Sequence, residues 1–320
     1  MPTLPFHPVV ELTFDPIVSL GDWHVRLQTI GLAVVIFVAL LLAARIAGRT
    51  PVDSRRPPEV IDPATGDPNH LRRDDLLYIA VAALPGAVVG GRLGWALVHL
   101  EYVAANPGTL LDPTVGGFGL PLAVVGGTLT AALVATLLDT PIPRWLHALI
   151  LPLLFGIAGG KLAMVLGGDG QGVPWDGPWA TAYLGPGPWL SLAPALPSHP
   201  SQAYEALATA GVIVVLALLR GAGLFRSPNG SLFLVGIALW AIVRTAVAFT
   251  WRDPALVGQL GMDQVLSLGI ALVALVLLGT GAVISRARAG RAGGPGGQDG
   301  PRAAAETELD WPDPASRPGI

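Results

Sequence analysis

The 320-residue chain has no cysteine, which excludes disulfides, thiolate metal sites, a cysteine nucleophile and a lipidated cysteine. It is also poor in charge: 13% of residues are Asp, Glu, Lys or Arg, against about 25% in soluble globular proteins. Its net charge of −3 leaves no basic stripe for nucleic-acid phosphates, so no nucleic-acid partner is expected. A Gly-Lys-Ser/Thr phosphate loop and a Gly-x-Ser-x-Gly elbow are both missing. What is abundant is apolar surface, with 52% hydrophobic residues and a mean hydropathy of +0.59. Such a chain needs a bilayer for much of its length.

Seven segments are long and apolar enough to span, near residues 24–47, 75–98, 117–138, 145–167, 202–220, 230–251 and 263–285. The expected fold class is all-α: a polytopic bundle of seven transmembrane helices, residues 1–288, with the first span as an uncleaved insertion signal. Arginines occupy every second connection: Arg45 to Arg73, Arg144, Arg220 with Arg226, and the C-terminal tail. That alternation places the N-terminus outside and the C-terminus in the cytoplasm. The tail 289–320 is rich in Gly, Pro and Ala and reads as disordered; residues 51–70 read as a flexible cytoplasmic loop. The outer loop 168–200 carries Trp175, Trp179, Tyr183 and Trp189 without Lys or Arg. It reads as an interfacial aromatic belt or as a substrate-gating loop.

Arg92, Lys161 and Arg244 lie within the second, fourth and sixth spans, at similar depth in the outer half. An intramembrane cation costs at least about 2.5–3.5 kcal/mol on insertion scales, so three at one level point to a shared polar pocket. Nearby acids are fewer than cations. The expected surplus of positive charge would attract a lipid phosphate, which guanidinium binds with a bidentate fork. The plainer alternatives are snorkelling of Lys161 or Arg244, and a structural pairing of Arg92 with Glu205 or Asp263. Gly86, Gly90 and Gly94, like Gly156 and Gly160, read as helix-packing faces. The string His199-Pro200-Ser201-Gln202-Ala203-Tyr204-Glu205 opens the fifth span. It is either a helix cap and anchor or a site with His199 as a base.

Several pieces, in order over residues 14–270, resemble the bacterial prolipoprotein diacylglyceryl transferases. They are Phe14-Asp15-Pro16, Gly90-Gly91-Arg92-Leu93-Gly94, Gly126-Gly127, the His199–Glu205 string, Arg244, and Met262-Asp263-Gln264-Val265-Leu266-Ser267. The resemblance implies transfer of the diacylglyceryl group of phosphatidylglycerol to the lipobox cysteine of prolipoproteins. It further implies a multi-pass protein of the bacterial plasma membrane, with no metal or soluble cofactor. It implies catalytic roles for His199, Glu205 and Arg244. Gly91, Arg92, Lys161, Gln202, Tyr204 and Arg244 would contact phosphatidylglycerol. Several family polar groups are replaced: Ile30, Val125, Lys161, Met164, Asp169 and Ala248 stand where Tyr, His, Arg, Asn, Glu and Glu are usual. The competing readings are a relative that binds anionic lipid or lipoprotein precursor without transfer, and a small-solute transporter. Against the transporter, no inverted repeat is visible.

Overall fold

The computed structural model describes residues 9–53, 55–61, 68–112 and 115–292. Seven of its helices are long and apolar enough to cross a membrane. They are α1 (Leu27–Ala47), α2 (Arg73–Val98), α4 (Leu120–Leu137), α5 (Ile142–Gly167), α6 (Ser201–Gly221), α7 (Ser231–Val247) and α8 (Met262–Ala292). A short helix, α3 (Leu100–Ala105), lies between α2 and α4. Residues up to Leu278 form one compact unit and Gly279 onward a second. Apolar side chains such as Val34, Phe37, Leu84, Leu129 and Leu272 remain exposed. That suits helices whose outer face meets hydrocarbon, where burying one leucine against another gains little over lipid.

Several boundaries differ from the hydropathy reading by a few residues, and two of them have a local cause. The first helix starts at Leu27, because Trp23–Arg26 is β3, paired antiparallel with β2 (Ile17–Leu20) across a turn where Gly21 has φ +63°. The sixth stops at Val247 and tightens into a 3₁₀ turn over Ala248–Thr250. Further short strands lie in the connections. β1 (Val10–Leu12) pairs in parallel with β4 (Thr181–Tyr183), and β5 (Ala255–Val257) pairs antiparallel with β6 (Leu260–Gly261). The N-terminal segment is thereby woven into the 168–200 loop, and Phe14 packs edge-on against Trp189 at 5.3 Å.

That loop is organised, not a plain belt. The Gln171 side chain donates to the carbonyls of Thr181 and Pro194 at 3.1 and 3.3 Å. Trp175, Tyr183 and Trp189 turn inward, and Trp179 alone of these four aromatics is exposed. The described part of 51–70 is organised too. Asn69 accepts from the Asp53 amide at 2.6 Å and donates to the Asp53 and Arg56 carbonyls at 2.9 Å. Residues 54 and 62–67 of that loop lie outside the described residues. So does the tail beyond 292; α8 continues helical through 289–292.

Core packing divides in two. Ile150, Leu154, Val212, Leu216, Leu232, Ile237 and Trp240 join α5, α6 and α7, with Ala271 and Ala274 of α8. A second cluster, including Ala43, Leu76, Ala135 and Trp145, joins α1, α2, α4 and α5. Between α2 and α4 the backbones touch. A Cβ on Gly90 would collide with the Leu122 carbonyl oxygen, and one on Gly86 or Gly126 with the other's carbonyl oxygen. These glycines are a packing face, as the small-residue spacing predicts. Gly90→Val is expected to cost at least the about 1–3 kcal/mol typical of overpacking, because a carbonyl cannot rotate away as a side chain can. Thermal unfolding in detergent checks this: an unchanged midpoint would show that the two helices separate freely.

Candidate active site

One end of the bundle gathers four charges from four helices. Glu205 on α6 is central. Its Oε2 is 2.9 Å from Lys161 Nζ of α5, and its Oε1 accepts from Nη1 of Arg244 on α7. The other arm of the fork, Arg244 Nη2, is 2.8 Å from Asp263 Oδ2 in the first turn of α8. All four residues are buried, with Glu205 1% exposed. Lys161 Nζ also sits 4.3 Å from the centre of the Trp251 ring, a cation–π contact. Neither Lys161 nor Arg244 snorkels.

Local chemistry fixes the helix ends that deliver these groups. Ser201 Oγ donates to the Thr250 carbonyl at 2.9 Å and accepts from Thr250 Oγ1 at 2.7 Å, joining the start of α6 to the end of α7. Gly172 lies against both partners, where a Cβ would collide. Arg252 Nε donates to the Gly172 carbonyl at 2.6 Å and its Nη2 to Ser198 Oγ at 3.1 Å. Gln264 Oε1 accepts the Gly261 amide at 2.6 Å at the start of α8.

Two expectations are corrected here. Arg92 does not share the pocket. Its Nε donates to the Leu110 carbonyl, its Nη1 to Val115 and Gly117, and its Nη2 to Thr109 and Asp112. Five N–H groups meet five carbonyls, so the guanidinium clasps the α3–α4 connection and pairs with neither Glu205 nor Asp263. The ring of Trp95 covers it at 4.8 Å. With Arg92 elsewhere, the anticipated excess of cations disappears: Lys161 and Arg244 are balanced by Glu205 and Asp263.

The other sequence candidates surround this cluster. His199 stacks on Trp175 at 4.2 Å, nearly parallel, and its buried Nδ1 has no hydrogen-bond partner. Burial holds its imidazole below the usual histidine range. Tyr204 meets His199 edge-on at 6.0 Å. Gln202 Nε2 donates to the Tyr183 hydroxyl at 3.0 Å, anchoring β4 to α6. Burial pushes that tyrosine up to about 12, so it stays protonated near neutrality. Gly91 faces Phe118 and accepts the Gly119 amide at 2.8 Å, a packing position. Asp169 accepts from Gln28 Nε2 at 3.4 Å. Asp263 was legible as an acid at a helix start, but nothing in the sequence pattern marks Trp251 or Asp253 as its neighbours.

The chain matches the family described as prolipoprotein diacylglyceryl transferase over residues 16–280. It belongs to that family. Among similar proteins is the phosphatidylglycerol–prolipoprotein diacylglyceryl transferase of Geobacter sulfurreducens, 28% identical over 69% of this chain and 82% of that protein. A protein of the same name from Rhizobium leguminosarum bv. trifolii is 30% identical over 70% of this chain and 77% of its own. One from Rhodopseudomonas palustris is 25% identical over 86% and 92%. The whole charge cluster falls inside the matched family region. Of the departures, Ile30 is exposed on α1, Met164 lies near Lys161 on α5, and Ala248 is buried at the end of α7.

Removing Glu205 leaves two buried cations side by side. Glu205→Gln is expected to destabilise by about 3–5 kcal/mol, as breaking a buried ion pair does. Adding Lys161→Met should recover part of that loss. Unfolding of the two single variants and the double variant measures the coupling, and simple additivity would contradict the bridging role.

Proposed function

We propose that this chain transfers the diacylglyceryl group of phosphatidylglycerol to the cysteine thiol of a prolipoprotein lipobox. It works in the bacterial plasma membrane, with the N-terminus outside and the charge cluster in the outer half. The observation that carries the reading is Arg244: a buried guanidinium held between carboxylates of two helices, inside the matched family region.

In the reaction the thiol sulfur attacks the glyceryl carbon that bears the phosphate. A C–S bond forms, the C–O bond to phosphate breaks, and glycerol phosphate leaves with the electron pair. The leaving group gains negative charge, which a guanidinium in a water-poor site stabilises more strongly than water does. Glu205 is a positioning residue that holds Lys161 and Arg244 in register. The thiol proton needs an acceptor. His199 is kept neutral near pH 7 by burial and carries an unpartnered Nδ1, which suits that role. The Tyr183 hydroxyl, held protonated, does not suit it.

The test is purified protein in phosphatidylglycerol vesicles with a lipobox peptide bearing one cysteine, read by mass spectrometry for a thioether-linked diacylglyceryl adduct. Arg244→Ala is expected to lower the rate by about 10²–10³, the scale for losing one preorganised charge-stabilising donor. A base must be unprotonated, and the His199 pKa lies below about 6.5. On the acid side the rate should therefore hold until pH drops below that value, and His199→Gln should abolish that limb along with most activity. Full activity in His199→Gln would return the residue to a helix-anchoring role. No adduct from wild-type protein that still binds the lipid would sink the transferase reading.

A further inference from the structure

Glu205 and Asp263 both face Arg244, yet they are held differently. Glu205 is clamped by two cations and its side chain is 1% exposed. Asp263 has one cation, Arg244 Nη2, and its side chain is 9% exposed. Asp263 also lines a polar cavity of about 70 Å³ with Trp251, Asp253, Gln259 and Gln264. Arg244 has a donor to spare, because its buried Nε has no hydrogen-bond partner.

The four charges sum to zero. A phosphodiester carries one negative charge, so its arrival would add one uncompensated negative charge to the buried cluster, which a low-dielectric site resists. We propose that Asp263 is a displaceable cover on Arg244: the phosphodiester of phosphatidylglycerol takes its place on the guanidinium, and the freed carboxylate takes up one proton from water through the adjoining cavity. This deepens the proposed function and rests on it. The net charge of the site is then the same before and after binding. The ionisable groups facing Asp263 are Arg244 on α7 and Asp253 on the α7–α8 connection, with Lys161 on α5 and Glu205 on α6 beyond them. Asp253, already pushed upward by burial and by the Asp263 charge, is the competing proton acceptor.

The test is titration of phosphatidylglycerol into the full chain held in phosphatidylcholine nanodiscs, with protons counted in weak buffer and affinity followed against pH. Wild type is expected to take up about one proton per lipid bound, with Kd rising toward tenfold per pH unit on the alkaline side. Asp263→Asn, close in size, should bind without proton uptake and with a flat pH profile, at least tenfold tighter than wild type at alkaline pH. Asp253→Asn should keep the wild-type slope. Binding without proton uptake in wild type overturns the exchange, with no variant needed. Unchanged uptake in Asp263→Asn overturns it as well, as does loss of uptake in Asp253→Asn. Arg244→Ala separates the two ideas: if it retains phosphatidylglycerol binding, the underlying clamp reading fails, whatever Asp263 does.

Discussion

The Glu205 carboxylate receives Lys161 on one oxygen and Arg244 on the other, at a place where a single uncompensated charge is costly. Each of the three comes from a different helix, so α5, α6 and α7 cannot slide past one another without exposing a bare ion to a low-dielectric interior. Apolar packing between Ile150, Leu216 and Trp240 brings these helices together but specifies their register only loosely. The ion pairs restrict it, since hydrocarbon offers no alternative partner to a misplaced Lys161. Asp263 extends the same constraint to the start of α8.

Around this centre the irregular segments act as a fixed frame. Ser201 and Thr250 join two helix ends, Arg252 spans from Gly172 to Ser198, and Gln171 gathers Thr181 and Pro194. Irregular backbone is tolerated at this end because its polar groups find side-chain partners. The α2–α4 pair obeys a different rule. Gly86, Gly90 and Gly126 let two backbones touch, and Arg92 at the end of that seam saturates the carbonyls of the connection it faces. Two intramembrane arginines thus do unlike things. Arg244 is paired with charge, and Arg92 is consumed by backbone.

Much of this was legible from residue order. Seven apolar runs, helix starts at His199-Pro200 and Met262-Asp263, and the small-residue seam all follow from periodicity and hydropathy. The cations of the fourth and sixth spans were legible as partners in a pocket, because both are costly and equally deep. The placement of Arg92 was not, since its acceptors are carbonyls, which every residue carries and no sequence pattern distinguishes. Charge balance failed to read for a related reason. Counting acids near helix ends gave a deficit, and only the geometry removes Arg92 from one side of the sum. The β1–β4 pairing joins segments about 170 residues apart, and short strands of three residues carry too little alternation to be seen.

The lone lysine is consistent with this arrangement. A guanidinium is a planar fork, suited to two acceptors at once, whereas an ammonium is a compact point charge. Arg244 stands between two carboxylates on different helices and uses both arms. Lys161 meets one carboxylate oxygen, and its other neighbour is the face of Trp251, which attracts a cation without needing a directed hydrogen bond. The fork therefore stands where two acceptors diverge, and the point charge stands where one acceptor and an aromatic face satisfy it. The bond that ties α5 to α6 at this position runs from Lys161 to Glu205 at 2.9 Å, and a single ammonium donor suffices to make it.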